Sequence, residues 1–354
     1  MDVGGGFLYS KTSSITQAMA KKPAERNEAE DIPLNNTQDY GKRRTTTKWS
    51  KEVTWVKENF KKKTCNSFVP DPGEKVSELC VCGKKESDHD GPRAPKGKKW
   101  SPVIENTDAY GEIDFALWNP VPAKFLRLQD DVSVVDHLVE LMLGKWHLPP
   151  PKLIISVTGG ALNFTLEKGL KQEFRRGLIK AAVTTGAWIV TGGTQSGVMR
   201  HVGKAVQEYM SAHGYQPLVV LGVAPWGCVY ERHKLKTISN EPVHFMPPRA
   251  PPELEQLECP LDPNHTHFVL VDDGTVHKYG SDTLLRARLE AKLAEHGETK
   301  KIPVVCISLE GGPGTIHAIK SSLEEGTPVV LLKGSGRMTD VLAEACRLKK
   351  QKTT

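Results

Sequence analysis

The stretch IPVVCISLEGGPGT, residues 302–315, sets an apolar, β-branched run directly against three glycines, a proline and a threonine. A run without polar alternation reads as a strand buried on both faces, and the glycines make the chain turn sharply around something at its carboxyl end. The same texture recurs in KLIISVTGG (152–160), AWIVTGG (187–193), LVVLGVAPWG (218–227), HFVLVDDG (267–274) and PVVLLKGSG (328–336). Between the runs, Leu166, Leu170, Phe174, Leu178 and Ala181 repeat at helical spacing, as do Val198, Val202, Ala205, Val206 and Tyr209. Alternating strand and helix predicts right-handed crossovers, and so an α/β fold with a Rossmann-like parallel sheet and helices on both faces. Ligands of such sheets bind beyond the carboxyl ends of the strands, where these glycine clusters fall.

Outward from this core, residues 151–354 read as the nucleotide-binding domain and 46–150 as a loop-rich segment packed on it, with scattered tryptophans at 49, 55, 100, 118 and 146. The two are expected to form one structural unit. Residues 1–45 mix Gly, Ser, Thr, Asn, Lys and Glu with almost no apolar periodicity and read as a disordered tail. The span 229–261 is long and proline-rich, an excursion from the sheet. No apolar run approaches the roughly 18 residues that would cross a bilayer, and the opening residues suit neither a signal peptide nor a myristoylation site, so a cytosolic chain is expected. Seven cysteines without a secretory signal argue for reduced thiols. A net charge of +6 and a pI of 8.8 favour an anionic partner. The basic runs at 41–44 and 61–63 lack interleaved aromatics, which speaks against nucleic acid.

Three loops share one physical plan. Thr158, Gly159, Gly160 and Ala161 in SVTGGALNF, Gly192 and Gly193 in VTGGTQSG, and Glu310, Gly311, Gly312, Gly314 and Thr315 in LEGGPGT each lead from a strand toward a helix. Bare amides and the positive end of a helix suit phosphate. None of the loops carries a Walker pattern or the dinucleotide fingerprint, which weakens ATPase and dehydrogenase readings. Arg286 in SDTLLRARLEAKLAEHG and Arg337 in GSGRMTDVLAEA sit at helix starts, where a cation opposes the dipole at a cost of about 0.3–1 kcal/mol. A bound diphosphate reverses that sign, since guanidinium forks match its oxygens. Pairing with Asp282 and Asp340 is the plainer alternative. Tyr279, just ahead of the first of these helices, suits stacking on a base.

ISVTGGALNF, FRRGLIKAA, TGAWIVTGGTQSGVM, NHTHFVLVDDG, IPVVCISLEGGPGTIHAI and GSGR together resemble the amino-terminal homology region of melastatin-type transient receptor potential cation channels, over about residues 50–345. The likeness is greatest to the ADP-ribose-gated, calcium-permeable branch. It implies a SLOG fold whose cleft binds ADP-ribose. The first loop with Asn163, Met199, Tyr279 near the adenine, and Arg286 and Arg337 on the diphosphate and ribose would contact the ligand, and Glu310 to Thr315 would close the pocket. It further implies a homotetrameric channel whose other domains, membrane helices included, lie beyond this chain, with calcium as permeant ion and co-agonist rather than bound here. No cofactor is expected.

The SLOG fold is also similar to cytokinin-activating phosphoribohydrolases, whose loop reads Pro-Gly-Gly-x-Gly-Thr-x-x-Glu. Here Glu310 replaces the proline and Ala318 stands at the catalytic glutamate, so a binding protein is expected rather than an enzyme; a phosphoribohydrolase-like activity and a purely structural assembly module are the alternatives. Asp272 and Asp273 read as turn residues, and His265 and His267 as structural. Cys65, Cys80, Cys82 and His89 offer three thiols and an imidazole to zinc, but Cys-x-Cys is tighter than the usual spacing, and small buried residues remain the other reading.

Overall fold

The computed structural model describes residues 46–72, 78–116, 121–215, 218–246, 249–297 and 300–353. The expected tail, 1–45, lies outside the described residues, as does the basic run at 41–44. The described chain opens with helix α1 (Thr46–Asn59), anchored by Val56 and by Glu52, whose carboxylate accepts from the Tyr110 hydroxyl. Strands β1 (Lys61–Thr64) and β2 (Val103–Asn106) form a separate antiparallel ribbon. Then follow β3 (Tyr110–Asp114), β4 (Ala123–Gln129), α2 (Val135–Glu140), β5 (Ile154–Gly159), α3 (Lys168–Thr185), β6 (Trp188–Thr191), α4 (Gly197–His213) and β7 (Val220–Pro225). The order ends with β8 (Val243–His244), β9 (His267–Asp272), α5 (Thr283–Ala294), β10 (Val304–Leu309), α6 (Pro313–Glu324), β11 (Val329–Leu331) and α7 (Arg337–Thr353).

Nine strands make one sheet in the order β11-β10-β5-β6-β7-β9-β4-β3-β8. The six glycine-ended runs are all strands and all mutually parallel, and β4 joins them in parallel beside β9. The sheet is nevertheless mixed, because β3 runs antiparallel to β4 and carries β8 with it. Two of its strands therefore come from the 46–150 stretch, and the proline-rich excursion supplies the two-residue edge strand β8.

Alternation along each strand divides the core between the two faces. Ile154, Trp188, Val190, Leu221, Val269 and Val271 pack against Leu285, Leu289 and Leu293 of α5 and the residues of α2. Ile155, Val157, Ile189 and Val220 face Phe174 and Leu178 of α3 and Val198, Val202 and Val206 of α4. Helix α3 starts where the Glu167 carboxylate accepts from the Leu170 amide (3.0 Å) and stops at left-handed Gly186. Strand order runs outward from β5 through β6 and β7, then returns to place β10 on the other side of β5. That reversal opens a crevice at the carboxyl ends of β5 and β10.

Candidate functional site

A cleft of about 740 Å³ occupies this crevice. Its floor is the end of β5 and the turn after it, with Thr158, Gly159, Gly160 and Ala161 on the lining. Gly192 and Met199 line the β6 side, and Gly312, Gly314, Thr315 and Arg337 the β10 side. Tyr279 and Arg286 come from the chain leading into and through the first turn of α5. Residues as far apart in sequence as Thr158 and Arg337 thus meet on one cleft.

The backbone supplies donors. An α-helix leaves its first amides without partners inside the helix. In α6 the Thr315 amide donates to Gly312 O (3.0 Å), but the Gly314 amide finds no acceptor among the described residues, nor does the Ala161 amide on the facing turn. Both residues line the cleft. The helix is held in place by Thr315, whose hydroxyl donates to Gly159 O across the crevice (3.1 Å).

Two guanidinium groups add charge. Arg286 is 6% exposed, and its Nε lies 3.7 Å from Glu290 Oε1, which also accepts from the Ser156 hydroxyl (2.6 Å). Burial pushes the Glu290 carboxyl up, against the pull of Arg286 and Ser156. Asp282 is the N-cap residue of α5 but makes no side-chain cap bond. Arg337 opens α7 with φ +45°, and its Nη1 lies 3.7 Å from Glu310 Oε1. Asp340, the partner the pattern suggested, instead accepts from the Gly334 amide (2.7 Å). Both arginine contacts are longer than a bidentate ion pair, so each fork keeps donors to spare.

A family profile described as SLOG in TRPM matches residues 123–354. The chain belongs to that family. It is 41% identical over 315 residues to the transient receptor potential cation channel subfamily M member 2 of Rattus norvegicus, an alignment covering 83% of this chain and 20% of the relative. A member-like 2 protein of Nematostella vectensis is 40% identical over 308 residues (82% and 20%), and the subfamily M member 6 of Homo sapiens 36% over 321 (82% and 16%). The chain therefore spans about a fifth of the length of the first two of these relatives.

Not every expected residue of this SLOG domain lines the cleft. Asn163 braces it from behind, its Oδ1 accepting from the Gly197 amide (3.3 Å). Gly193, at φ +70°, lets the second loop press against Gly222, with no space for a Cβ between them. Glu310 (φ +53°) and Gly311 (φ +89°) form the left-handed corner after β10, where their carbonyls accept from Thr339 (2.9 Å) and Met338 (3.3 Å). Ala318 does line the cleft, one turn into α6, beside His317 and Ser321. Pattern reading missed Asp282, Thr194 and Gln256, all on the lining. Asp282 carried a signal as a carboxylate four residues ahead of Arg286. Gln256 carried none, since it arrives from the proline-rich excursion.

The other acidic and imidazole groups settle into structure. Asp273 is a turn residue, accepting from the Thr275 amide (2.9 Å), whereas Asp272 does more than turn the chain. It is 2% exposed and pairs with Arg127 (2.6 Å to Nη2), which also reaches Asp108 (2.8 Å) and lies over the Trp226 ring. His265 sits between Thr191 Oγ1 (2.7 Å) and Asp262 Oδ1 (3.2 Å). Burial holds the His267 imidazole down to about 3. Among the described residues no helix is long and apolar enough to cross a membrane.

Proposed function

We propose that this SLOG domain binds ADP-ribose in the β5/β10 cleft and belongs to a homotetrameric, calcium-permeable cation channel of the plasma membrane, where binding biases gating. In this reading it is a cytosolic domain, nucleic acid is no partner, and it touches the membrane only through other parts of the channel, whose remaining domains and neighbouring subunits are its partners. The carrying observation is the convergence of Arg286 and Arg337 with the unpartnered Ala161 and Gly314 amides on one cleft. Diphosphate is the guest that would satisfy all four, Asp282 suits ribose hydroxyls, and Tyr279, 49% exposed at the edge, suits the adenine. Ligand can move a gate only through different affinity for its two states, so the domain is read as holding its ligand rather than transforming it. Ala318 supports that, because its methyl group stands where a phosphoribohydrolase would need a carboxylate.

Calorimetry on this chain tests the reading. ADP-ribose should bind at one site, and Arg337→Ala should weaken it about ten- to a hundredfold, the cost of one charge-assisted hydrogen-bonding group. Arg286→Lys, chosen because alanine would strand the Glu290 carboxylate, should keep the charge but lose the fork and weaken binding about tenfold. Unchanged affinity in both variants refutes the pocket. Release of ribose 5-phosphate on incubation with ADP-ribose or a nucleoside monophosphate would make the protein an enzyme instead.

A further inference from the structure

Away from the cleft, the loop-rich stretch brings Cys65, Cys80, Cys82 and His89 together, with their four ligand-type atoms all within 4.8 Å of one another. We propose that these side chains form a tetrahedral zinc site that fastens the 274–280 loop to the start of the domain. Zinc bonds of about 2.3 Å to sulfur and about 2.0 Å to nitrogen give tetrahedron edges of about 3.8 Å between sulfurs and about 3.5 Å between sulfur and nitrogen. Cys65 Sγ lies 3.8 Å from Cys80 Sγ, and both Cys65 Sγ and Cys82 Sγ lie 3.4 Å from His89 Nε2. These three edges match the polyhedron rather than a disulfide, whose sulfurs sit about 2.05 Å apart, and the rest lie within 4.8 Å.

The surroundings agree. His89 Nδ1 is 2.8 Å from Lys85 O; with the proton on Nδ1 donated there, the Nε2 lone pair faces the sulfurs. From outside, the Trp100 Nε1–H donates to Cys65 Sγ (3.1 Å) and the Val69 amide to Cys80 Sγ (3.3 Å), as suits thiolates. The tight Cys-x-Cys spacing works because Gly83 turns at φ +90° and its amide donates to Cys80 O (2.7 Å), folding 80–83 into a knuckle. Apart from the cysteines, the apolar cluster here is Phe68 with half-buried Val69 and Trp100. Such a core is too small to order the surrounding loops by burial alone, the situation in which small folds use a metal. On binding, three thiols release their protons to solvent while the neutral imidazole releases none, leaving three thiolates on the dication.

The knuckle lies flush on the loop that leads to Tyr279. Cys82 O accepts from the Val276 amide (2.7 Å) and Val81 O from Lys278 Nζ (2.7 Å), and a Cβ on Gly83 would stand 2.6 Å from Val276 O. Elemental analysis of this chain, purified without chelator or a metal-affinity step, should find about one zinc per chain, and X-ray absorption should show three sulfur ligands and one nitrogen. Cys82→Ser and His89→Ala should lose the metal, while Cys306→Ser, at a buried cysteine elsewhere, keeps it. Should the ligand variants fail to fold, cobalt(II) reconstitution of the chelated wild type reads the site directly through tetrahedral thiolate absorption. Chelation should speed amide exchange at Val276 without changing it in β6. A natively folded chain without zinc or another divalent metal, or with a Cys65–Cys80 disulfide after reducing purification, overturns the proposal.

Discussion

Arg337 begins a helix with a left-handed backbone and a cation at the positive end of the dipole, two local costs at one residue, of which Asp340 in the same turn eases only the second. Its contact with Glu310, at 3.7 Å, is loose, and Glu310 itself holds a left-handed φ of +53°. Residues held in such conformations recur at ligand clamps, which agrees with the proposed site. If Glu310 and a diphosphate compete for the Arg337 fork, Glu310→Gln should tighten ADP-ribose binding about two- to fivefold, the scale of a partly exposed pair; calorimetry beside the wild type measures it. His267 supplies a second residue-scale test. Its imidazole is held down to about 3 by burial, with Lys124 assisting, while an unfolded histidine titrates near 6.5. Between those values the unfolded chain takes the proton and the fold does not. The contribution is therefore complete above pH ~6.5 and falls by at most about 1.4 kcal/mol per pH unit as the pH drops toward 3. Denaturation midpoints of the wild type should fall more steeply over that window than those of His267→Gln.

Among the elements, the six glycine-ended strands were readable because their apolar runs are unbroken, as parallel strands covered on both faces must be. Strand β4, AKFLRLQ, escaped because Lys124, Arg127 and Gln129 interrupt the run. The reason appears only in three dimensions, where Arg127 is buried against Asp272, a partner 145 residues away. Removing one member of such a pair strands the other charge, so Arg127→Met should cost about 3–5 kcal/mol in chemical denaturation. Helix α4 shows a different dependence. It begins at Gly197, φ +49°, and a Cβ there would land on Gly160 O, so two of the glycine loops interlock. Gly197→Ala should destabilise by about 2–4 kcal/mol and disturb the cleft together with the fold, measurable as a lower melting temperature.

Taken as a whole, the molecule places its cleft where strand order reverses, and the glycine textures announced that edge in advance. They could not reveal which side chains arrive from elsewhere. Gln256 swings in from the excursion, and His317 carries no pattern that separates it from an ordinary helix residue. Convergence of that kind is tertiary information. A ligand that binds the native state alone stabilises it by mass action, about 2.7 kcal/mol at a hundredfold excess over its dissociation constant. For a domain of this size that corresponds to a melting-temperature rise of roughly 4 °C with ADP-ribose, against none if the domain serves only assembly. One wall of the cleft, with Gly312, Gly314 and Arg337, is built after residue 300, and the other, with Thr158 to Ala161 and Arg286, before residue 297. A backbone cut between Gly297 and Lys300 would divide the jaws between two polypeptides, and a nucleotide gripped by both would become the rivet that keeps the severed halves together.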